Sequence, residues 1–432
     1  KNKRELGVWS FYPLLPTNSI GLTSGEGWTP LLKAENLSKY LKIRGLYIKN
    51  ESTNPTGTFI DRGISVDLWY AKESGYSKVL AAALGDYAVS LSSYAAKLDI
   101  NSVIYVPQDI ERSKLYRAIL NGSRVLTMDS YSKALDKVLK FINSTNFYVS
   151  IPASPTIIDG YRTIVFELFE LVRNIDTVIV PVGDGVLATA LFKGFMELSQ
   201  FLEFNIPRII AVQLLAKPTL MKALYGIADS KQYRKELLNF LREVLVDKPL
   251  AMNTVLRAIK DSNGMAVAVS EDEVLRSVLI LSKYEGLTPD PVGAIGIAGL
   301  MKMIDNGVID RDEKVLVIIT GSSSRDPFIL YKILHRDETM LNVLRKLKQE
   351  DIMLNKPKLE ILRIIAIHKV IHIYGIWKKL QEQGMAMALS TVHHHVKSLE
   401  DMGLISMIGK DGKRNLYVIT EQGLEVLKAF EG

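Results

Sequence analysis

Between about Leu46 and Ile319, short β-branched apolar runs alternate with longer stretches in which apolar residues recur at helical spacing. The runs are KVLAAAL (78–84), NSVIYVP (101–107), RVLTM (124–128), TVIVPVG (177–183), RIIAVQ (208–213) and KVLVIIT (314–320). Apolar runs of this length, separated by helical segments, suit parallel strands covered on both faces by crossover helices. The expected class is therefore α/β. Ligands in such folds sit at the carboxyl ends of the strands. The polar or glycine-bearing loops at those positions are Gly85-Asp86, Gly183-Asp184-Gly185 and Thr320-Gly321-Ser322.

After Pro327 the rhythm changes to a charged stretch with apolar residues at helical spacing and neither Gly nor Pro, which reads as a connecting helix or two. From Pro357 the order becomes helix, helix, helix, hairpin, helix. LEILRIIAIHKVIHI supplies the first helix, YGIWKKLQEQG the second, closed by Gly384, and ALSTVHHHVKSLEDMGLIS the third, with Ser390 as expected N-cap and Gly403 after its end. LISMI and NLYVIT flank Asp411-Gly412, a strong hairpin turn.

Composition narrows the picture only moderately. A length of 432 residues suits two or three domains. With 47% hydrophobic and 23% charged residues, the whole chain is expected to fold. The absence of cysteine excludes disulfides, thiolate metal sites and a cysteine nucleophile. Residues 1–30 show no signal-peptide core and no apolar run reaches membrane length, so a cytoplasmic, nucleoid-associated protein without membrane contact is expected. A net charge of +7 permits nucleic-acid binding without requiring it.

Seven motifs in order carry a family resemblance: GEGWTPLLKAENLSK (25–39), LYIKNESTNPTGTFIDRG (46–63), LSSYAAKLDI (91–100), DGYRTIVFEL (159–168), PVGDGVLATALFKGF (181–195), EGLTPDPVGAIGIAGL (285–300) and TGSSSRDP (320–327). Residues 25–327 thus resemble threonine synthase and its relatives among the fold-type-II pyridoxal-phosphate enzymes. The resemblance implies a two-subdomain, tryptophan synthase β-like parallel-sheet fold over residues 1–330. A smaller subdomain is inserted at about 76–152, and residues 331–355 are left as a helical linker.

The same resemblance implies a lysine that forms the Schiff base and shuttles protons at the position held here by Ile60. A branched hydrocarbon does neither. The loop that would hold the cofactor's phenolate and the substrate carboxylate reads Ala83-Leu84-Gly85-Asp86-Tyr87. An ionised Asp86 would repel a phenolate by roughly 4 kcal/mol at 4 Å and an effective dielectric near 20. The implied phosphate cup, Gly183-Asp184-Gly185, carries Val186 where a further glycine is usual, and Val resists positive φ. The expected cofactor set is therefore none, with pyridoxal phosphate admitted only non-covalently or through another lysine. Lys49 is the nearest, and a lysine there is common in active relatives. The expected degenerate cleft comprises Asn54, Thr56, Gly57, Thr58, Ile60, Gly85, Asp86, Tyr87, Gly183, Asp184, Gly185, Val186 and Thr320.

Residues 356–432 resemble a winged helix-turn-helix of the kind found in transcription regulators. At 100° per residue Val392, Val396 and Leu399 form a buried stripe, while Ser390, His393, His394 and Lys397 point away with Thr391 on the flank. Such a helix suits a major groove, and Lys410, Lys413 and Arg414 at the hairpin suit phosphates. Adjacent histidines on a helix cannot converge on one ion. His368 and His372, at i and i+4, lack a third ligand, so no metal site is expected.

Together these readings predict a DNA-binding transcription regulator, not an enzyme. Its threonine synthase-like domain would sense a small-molecule effector or dimerise, placing two recognition helices on double-stranded DNA. The alternative is an active pyridoxal-phosphate-dependent, threonine synthase-like lyase with an appended regulatory DNA-binding domain.

Overall fold

The computed structural model describes residues 3–172, 174–202, 205–227, 241–323, 356–385, 387–412 and 414–429. The chain divides into two compact units, Lys1–Leu330 and Tyr331–Gly432. The stretch expected as a linker, 331–355, lies outside the described residues, as does Lys413.

The first unit contains two sheets. The larger has six strands: β1 (Leu31–Lys33), β2 (Gly45–Asn50), β7 (Thr177–Pro181), β8 (Arg208–Leu214), β9 (Met265–Val269) and β10 (Lys314–Ile319), in the order β1-β2-β10-β7-β8-β9. All neighbours are parallel except β1, which runs antiparallel at the edge. Every residue of β7 is buried, as a central strand covered on both faces requires. The smaller sheet is parallel throughout: β3 (Lys78–Ala82), β4 (Asn101–Pro107), β5 (Arg124–Met128) and β6 (Tyr148–Ser150), ordered β5-β4-β3-β6. One apolar cluster runs through both lobes, with Val79 and Ala81 of β3 joined to Val178 and Val180 of β7 through Ile64, Leu68 and Ile164. That shared core holds the strand ends of the two sheets in a fixed relation.

The six strand segments read from the sequence coincide with β3, β4, β5, β7, β8 and β10 to within two residues at either end. The other four strands, β1, β2, β6 and β9, carry weaker patterns. In β2 the apolar run is interrupted by Lys49, which is nevertheless fully buried because Glu167 Oε2 lies 2.6 Å from its Nζ. Such pairing across 118 residues leaves no local trace in the sequence.

The second unit runs helix (Lys356–His368), β11 (Ile371–His372), helix (Ile373–Glu382), helix (Leu389–Asp401), β12 (Ile405–Asp411), β13 (Arg414–Ile419) and helix (Glu421–Ala429). Its sheet is ordered β11-β13-β12. The core gathers Ile361, Ile365, Ile376, Val392, Val396 and Leu399. Two local expectations change. The first helix stops at His368, and His372 instead caps the next helix, its Nδ1 accepting the Gly375 N–H at 2.8 Å. The third helix begins two residues earlier than expected, with Ala388 rather than Ser390 as N-cap.

Candidate functional site

The strands of both lobes point their carboxyl ends at one cavity of about 120 Å³. Its wall takes Ile60 from the segment after β2, Leu84 and Tyr87 after β3, Gly183 to Leu187 after β7, and Thr320 after β10. This is where an open α/β sheet leaves room for a ligand. The volume is close to that of an apolar cavity that accepts a single six-membered ring, roughly 150 Å³. A larger cleft of about 1020 Å³ lies outside it. Leu84, Tyr131 and Glu243 line both spaces and so form the neck between them.

Of the expected cleft residues, Ile60, Tyr87, Gly183, Asp184, Gly185, Val186 and Thr320 line the inner cavity. Asn54, Thr56, Gly57 and Thr58 do not, because their polar groups serve the loop that carries Ile60. Asn54 Nδ2 donates to Glu51 Oε2 at 2.9 Å, and its Oδ1 accepts from Gly27 N–H at 3.0 Å. Thr56 donates to Asp61 through both backbone and hydroxyl, at 2.7 and 2.6 Å. Thr58 bridges to Gly321, and Phe59 N–H donates to Thr320 O at 3.2 Å. These bonds seat the first turn of the helix Ile60–Glu73 beside Thr320.

Immediately behind Ile60 lies a closed ionic web. Arg62 binds Glu51 and Glu167, and Lys49 Nζ binds Glu167 and Thr29 O, with all four charged side chains fully buried. Burial pulls the Lys49 ammonium below its usual range against the attraction of Glu167. Lys49 is thus committed to the web and does not line the cavity. Burial likewise raises the Asp61 carboxyl to about 6.

Tyr87 hydrogen-bonds Ser150 Oγ at 2.8 Å, and Ser150 in turn donates to Asp67, so the phenol points into the lobe and its ring faces the cavity. Burial raises its pKa well above the ordinary value. Asp86, expected to repel an anionic ring oxygen, is paired with Lys114 Nζ at 2.9 Å. That pairing offsets the repulsion. Val186, expected to strain the phosphate cup, is the first residue of the helix Val186–Phe201 and needs no positive φ. The left-handed position belongs to Gly185, at φ 82°, where a Cβ would meet Val255 Cγ1 at 2.9 Å. Asp184 accepts Leu250 N–H at 3.2 Å, and burial raises its carboxyl to about 6. Thr320 Oγ1 is buried with no hydrogen-bond partner among the described residues.

Whether this wall suits pyridoxal phosphate can be judged from its chemistry. An apolar, ring-sized space with an unmatched buried hydroxyl suits a heteroaromatic ring, since an unpaired buried hydroxyl is costly until it finds a partner. The Gly183-Asp184-Gly185 turn at a helix N-terminus suits an anion through its backbone. Among the described residues, no lysine lines the cavity. The described wall therefore suits a heteroaromatic ring and its phosphate.

Sequence reasoning missed Glu243 and Tyr131. Both reach the wall from segments distant in sequence, and Glu243 sits in the short run REVLV with no motif around it.

In the second unit, Ser390, Thr391, His393, His394 and Lys397 are exposed on the helix whose buried stripe is Val392, Val396 and Leu399. Lys397 is engaged with Glu400 and Asp401 at 3.3 Å. Lys410 and Arg414 are exposed on the hairpin, with the Arg414 guanidinium 5.3 Å from the Tyr374 ring centroid. No helix among the described residues is long and apolar enough to cross a membrane.

Comparison with known proteins corrects the functional expectation. The family described as pyridoxal-phosphate dependent enzyme matches residues 22–321. Threonine synthase of Methanocaldococcus jannaschii is 31% identical over 359 residues, 81% of this chain and 88% of that protein. Threonine synthase of Methanosarcina acetivorans is 31% identical over 325 residues, 74% and 80% of the respective chains. Among solved structures, a fungal L-serine ammonia-lyase from Rhizomucor miehei superposes with a TM-score of 0.60 at 20% identity, over 71% of this chain and 98% of that one. Processed threonine deaminase isoform 2 from Solanum lycopersicum gives 0.59 at 22%, over 71% and 87%.

These relatives overturn the expected non-enzymatic, DNA-binding transcription regulator, the pseudoenzyme description and the absence of a cofactor. Those expectations leaned on three side chains, and the structure weakens two: Asp86 is paired with Lys114, which it shares with Glu243, and Val186 is helical. With the family matched across residues 22–321, the chain belongs to the pyridoxal-phosphate dependent enzymes.

Proposed function

We propose that the first unit is a threonine synthase-like lyase domain whose inner cavity takes pyridoxal phosphate without a covalent link, Ile60 standing where the family's lysine is expected. The observation that carries this reading is the orphaned Thr320 hydroxyl, buried in a ring-sized cavity at the strand ends of a chain 31% identical to threonine synthases. When bound, the cofactor supplies an electron sink for carbanion chemistry. Thr320 Oγ1 would meet the ring nitrogen, Tyr87, Leu84 and Ile60 would pack the ring, and the turn Gly183 to Gly185 would face the phosphate. Ile60 cannot move a proton. The carboxyl groups of the wall are Asp184 and Glu243, and burial raises the pKa of both.

Calorimetric titration with pyridoxal phosphate tests this. Saturable one-to-one binding that dialysis reverses is expected, weakened in Thr320→Val. Absence of saturable binding would overturn it.

For the second unit we infer a winged helix-turn-helix with double-stranded DNA as its partner, and a homodimer as the state that would place two such units on one site. The support is an exposed face of hydroxyls, imidazoles and Lys397 opposite an apolar stripe, beside a hairpin carrying Lys410 and Arg414. Lys410→Ala with Arg414→Ala should weaken binding to all sequences and flatten its salt dependence, whereas His394→Ala should alter sequence preference. Unchanged affinity in both would remove DNA as the partner.

A further inference from the structure

The neck of the cavity is closed by the chain itself. The segment Leu241 to Val246 crosses between the two lobes. On the six-stranded side, Leu241 and Val244 join the core cluster of that sheet. On the four-stranded side, Arg242 pairs with Asp109 and donates to its carbonyl oxygen at 3.1 Å. Between these anchors Glu243 reaches the N-terminus of the helix Gly85–Lys97, where its Oε1 accepts the backbone N–H of Asp86 at 3.1 Å and the ammonium of Lys114. Lys114 also holds Asp86 Oδ1 at 2.9 Å, and the carboxylates of Asp86 and Glu243 keep its pKa above the ordinary value although burial opposes them.

Two glycines make this seat available. A Cβ on Gly85 would fall 1.7 Å from Glu243 Oε1, and a Cβ on Gly183 would lie 3.0 Å from the carbonyl oxygen of Glu243. The segment therefore rests directly on the turn that faces an anion in the reading above, and its own carboxylate fills the adjoining donor site. A backbone N–H and a buried ammonium converging on one carboxylate form an oxyanion site by their chemistry. Behind it, the unmatched Thr320 hydroxyl lies in the space that Glu243 closes off.

We propose that Glu243 is a built-in occupant of an oxyanion subsite formed by Lys114 Nζ and the Asp86 N–H, and that ligands bearing a carboxylate or phosphate enter by taking its place. The proposal rests on the inner cavity being the ligand site, but not on which ligand fills it. While Glu243 is seated, the apparent affinity for an anion is reduced by the fraction of time the segment is lifted. Glu243 thereby sets a threshold that neutral or cationic molecules do not overcome.

Thermal unfolding of the full chain in succinate, inorganic phosphate or chloride at matched ionic strength tests the exchange, because a ligand of the folded state raises the midpoint by mass action. Glu243→Ala should respond to succinate and phosphate, not chloride, with an apparent affinity at least about tenfold tighter than the parent chain. Adding Lys114→Ala should abolish the gain. A single variant that responds no more than the parent, or a double variant that responds as well as the single, overturns the proposal. A larger response to succinate identifies a carboxylate as the favoured source, and a larger response to phosphate a phosphoryl group. Should Glu243→Ala fail to fold, hydrogen exchange on the parent chain decides: saturating phosphate must speed exchange at Glu243 to Val246, and unchanged exchange there overturns it. Because no pyridoxal phosphate is added, failure of that cofactor to bind would leave this result standing, and the reverse also holds.

Discussion

Two neighbouring residues at the start of one helix face opposite environments. Arg62 points into a web in which Glu51, Glu167 and Lys49 satisfy one another completely, whereas Ile60 faces a cavity whose only orphaned hydroxyl, among the described lining residues, is Thr320. The web is closed and the cavity is open. Buried charges tolerate no loss of a partner, because the remaining ion keeps its desolvation cost. An aliphatic side chain at a cavity wall tolerates trimming more readily, because fewer protein atoms pack against it.

This contrast can be broken most forcefully from the web. Arg62→Met should destabilise the first unit by about 3–5 kcal/mol, leaving two carboxylates against one ammonium, whereas Ile60→Val should cost about 1 kcal/mol. Chemical denaturation of both variants checks the ratio; equal costs would erase the distinction. Next in size is pH. Asp184 has a folded-state pKa raised to about 6 from 3.8, so its contribution favours folding below the unfolded value and is lost as pH rises through about 6. Asp184→Asn should remove on the order of 2 kcal/mol of that decline between about pH 4 and pH 7, a difference visible in paired denaturation curves. Asp61, raised in the same window by burial, should keep part of the decline in both proteins. The smallest effect belongs to Thr320→Val, which replaces the hydroxyl with a methyl group of similar size. It should cost about 1 kcal/mol, a several-fold loss, in pyridoxal phosphate affinity by titration.

The sequence made the scaffold legible because parallel strands buried on both faces are nearly continuous apolar runs, as in Thr177–Pro181 and Arg208–Leu214. Ile60, Tyr87, Gly183 and Thr320 were legible as cavity residues for a related reason: each follows a strand or cofactor motif directly. Asn54 and Thr56 were misjudged, since whether a polar side chain faces a ligand or braces its own loop depends on partners such as Gly27 and Asp61. Asp86 was misjudged because its counter-ion, Lys114, comes from the next helix of the lobe. Glu243 was invisible, its contact with Asp86 spanning 157 residues. The same limit applies to Ser390, which the chain's entry at Ala388 moves inside its helix.

The central claim is that the cavity takes pyridoxal phosphate without a lysine link, and borohydride reduction followed by intact-mass measurement tests it most directly. Saturated with the cofactor and reduced, the parent chain should show no stoichiometric addition at any single lysine, and dialysis should return it to its starting mass. Ile60→Lys, treated identically, should carry one fixed equivalent at residue 60. One equivalent fixed to a single lysine of the parent chain would contradict the account.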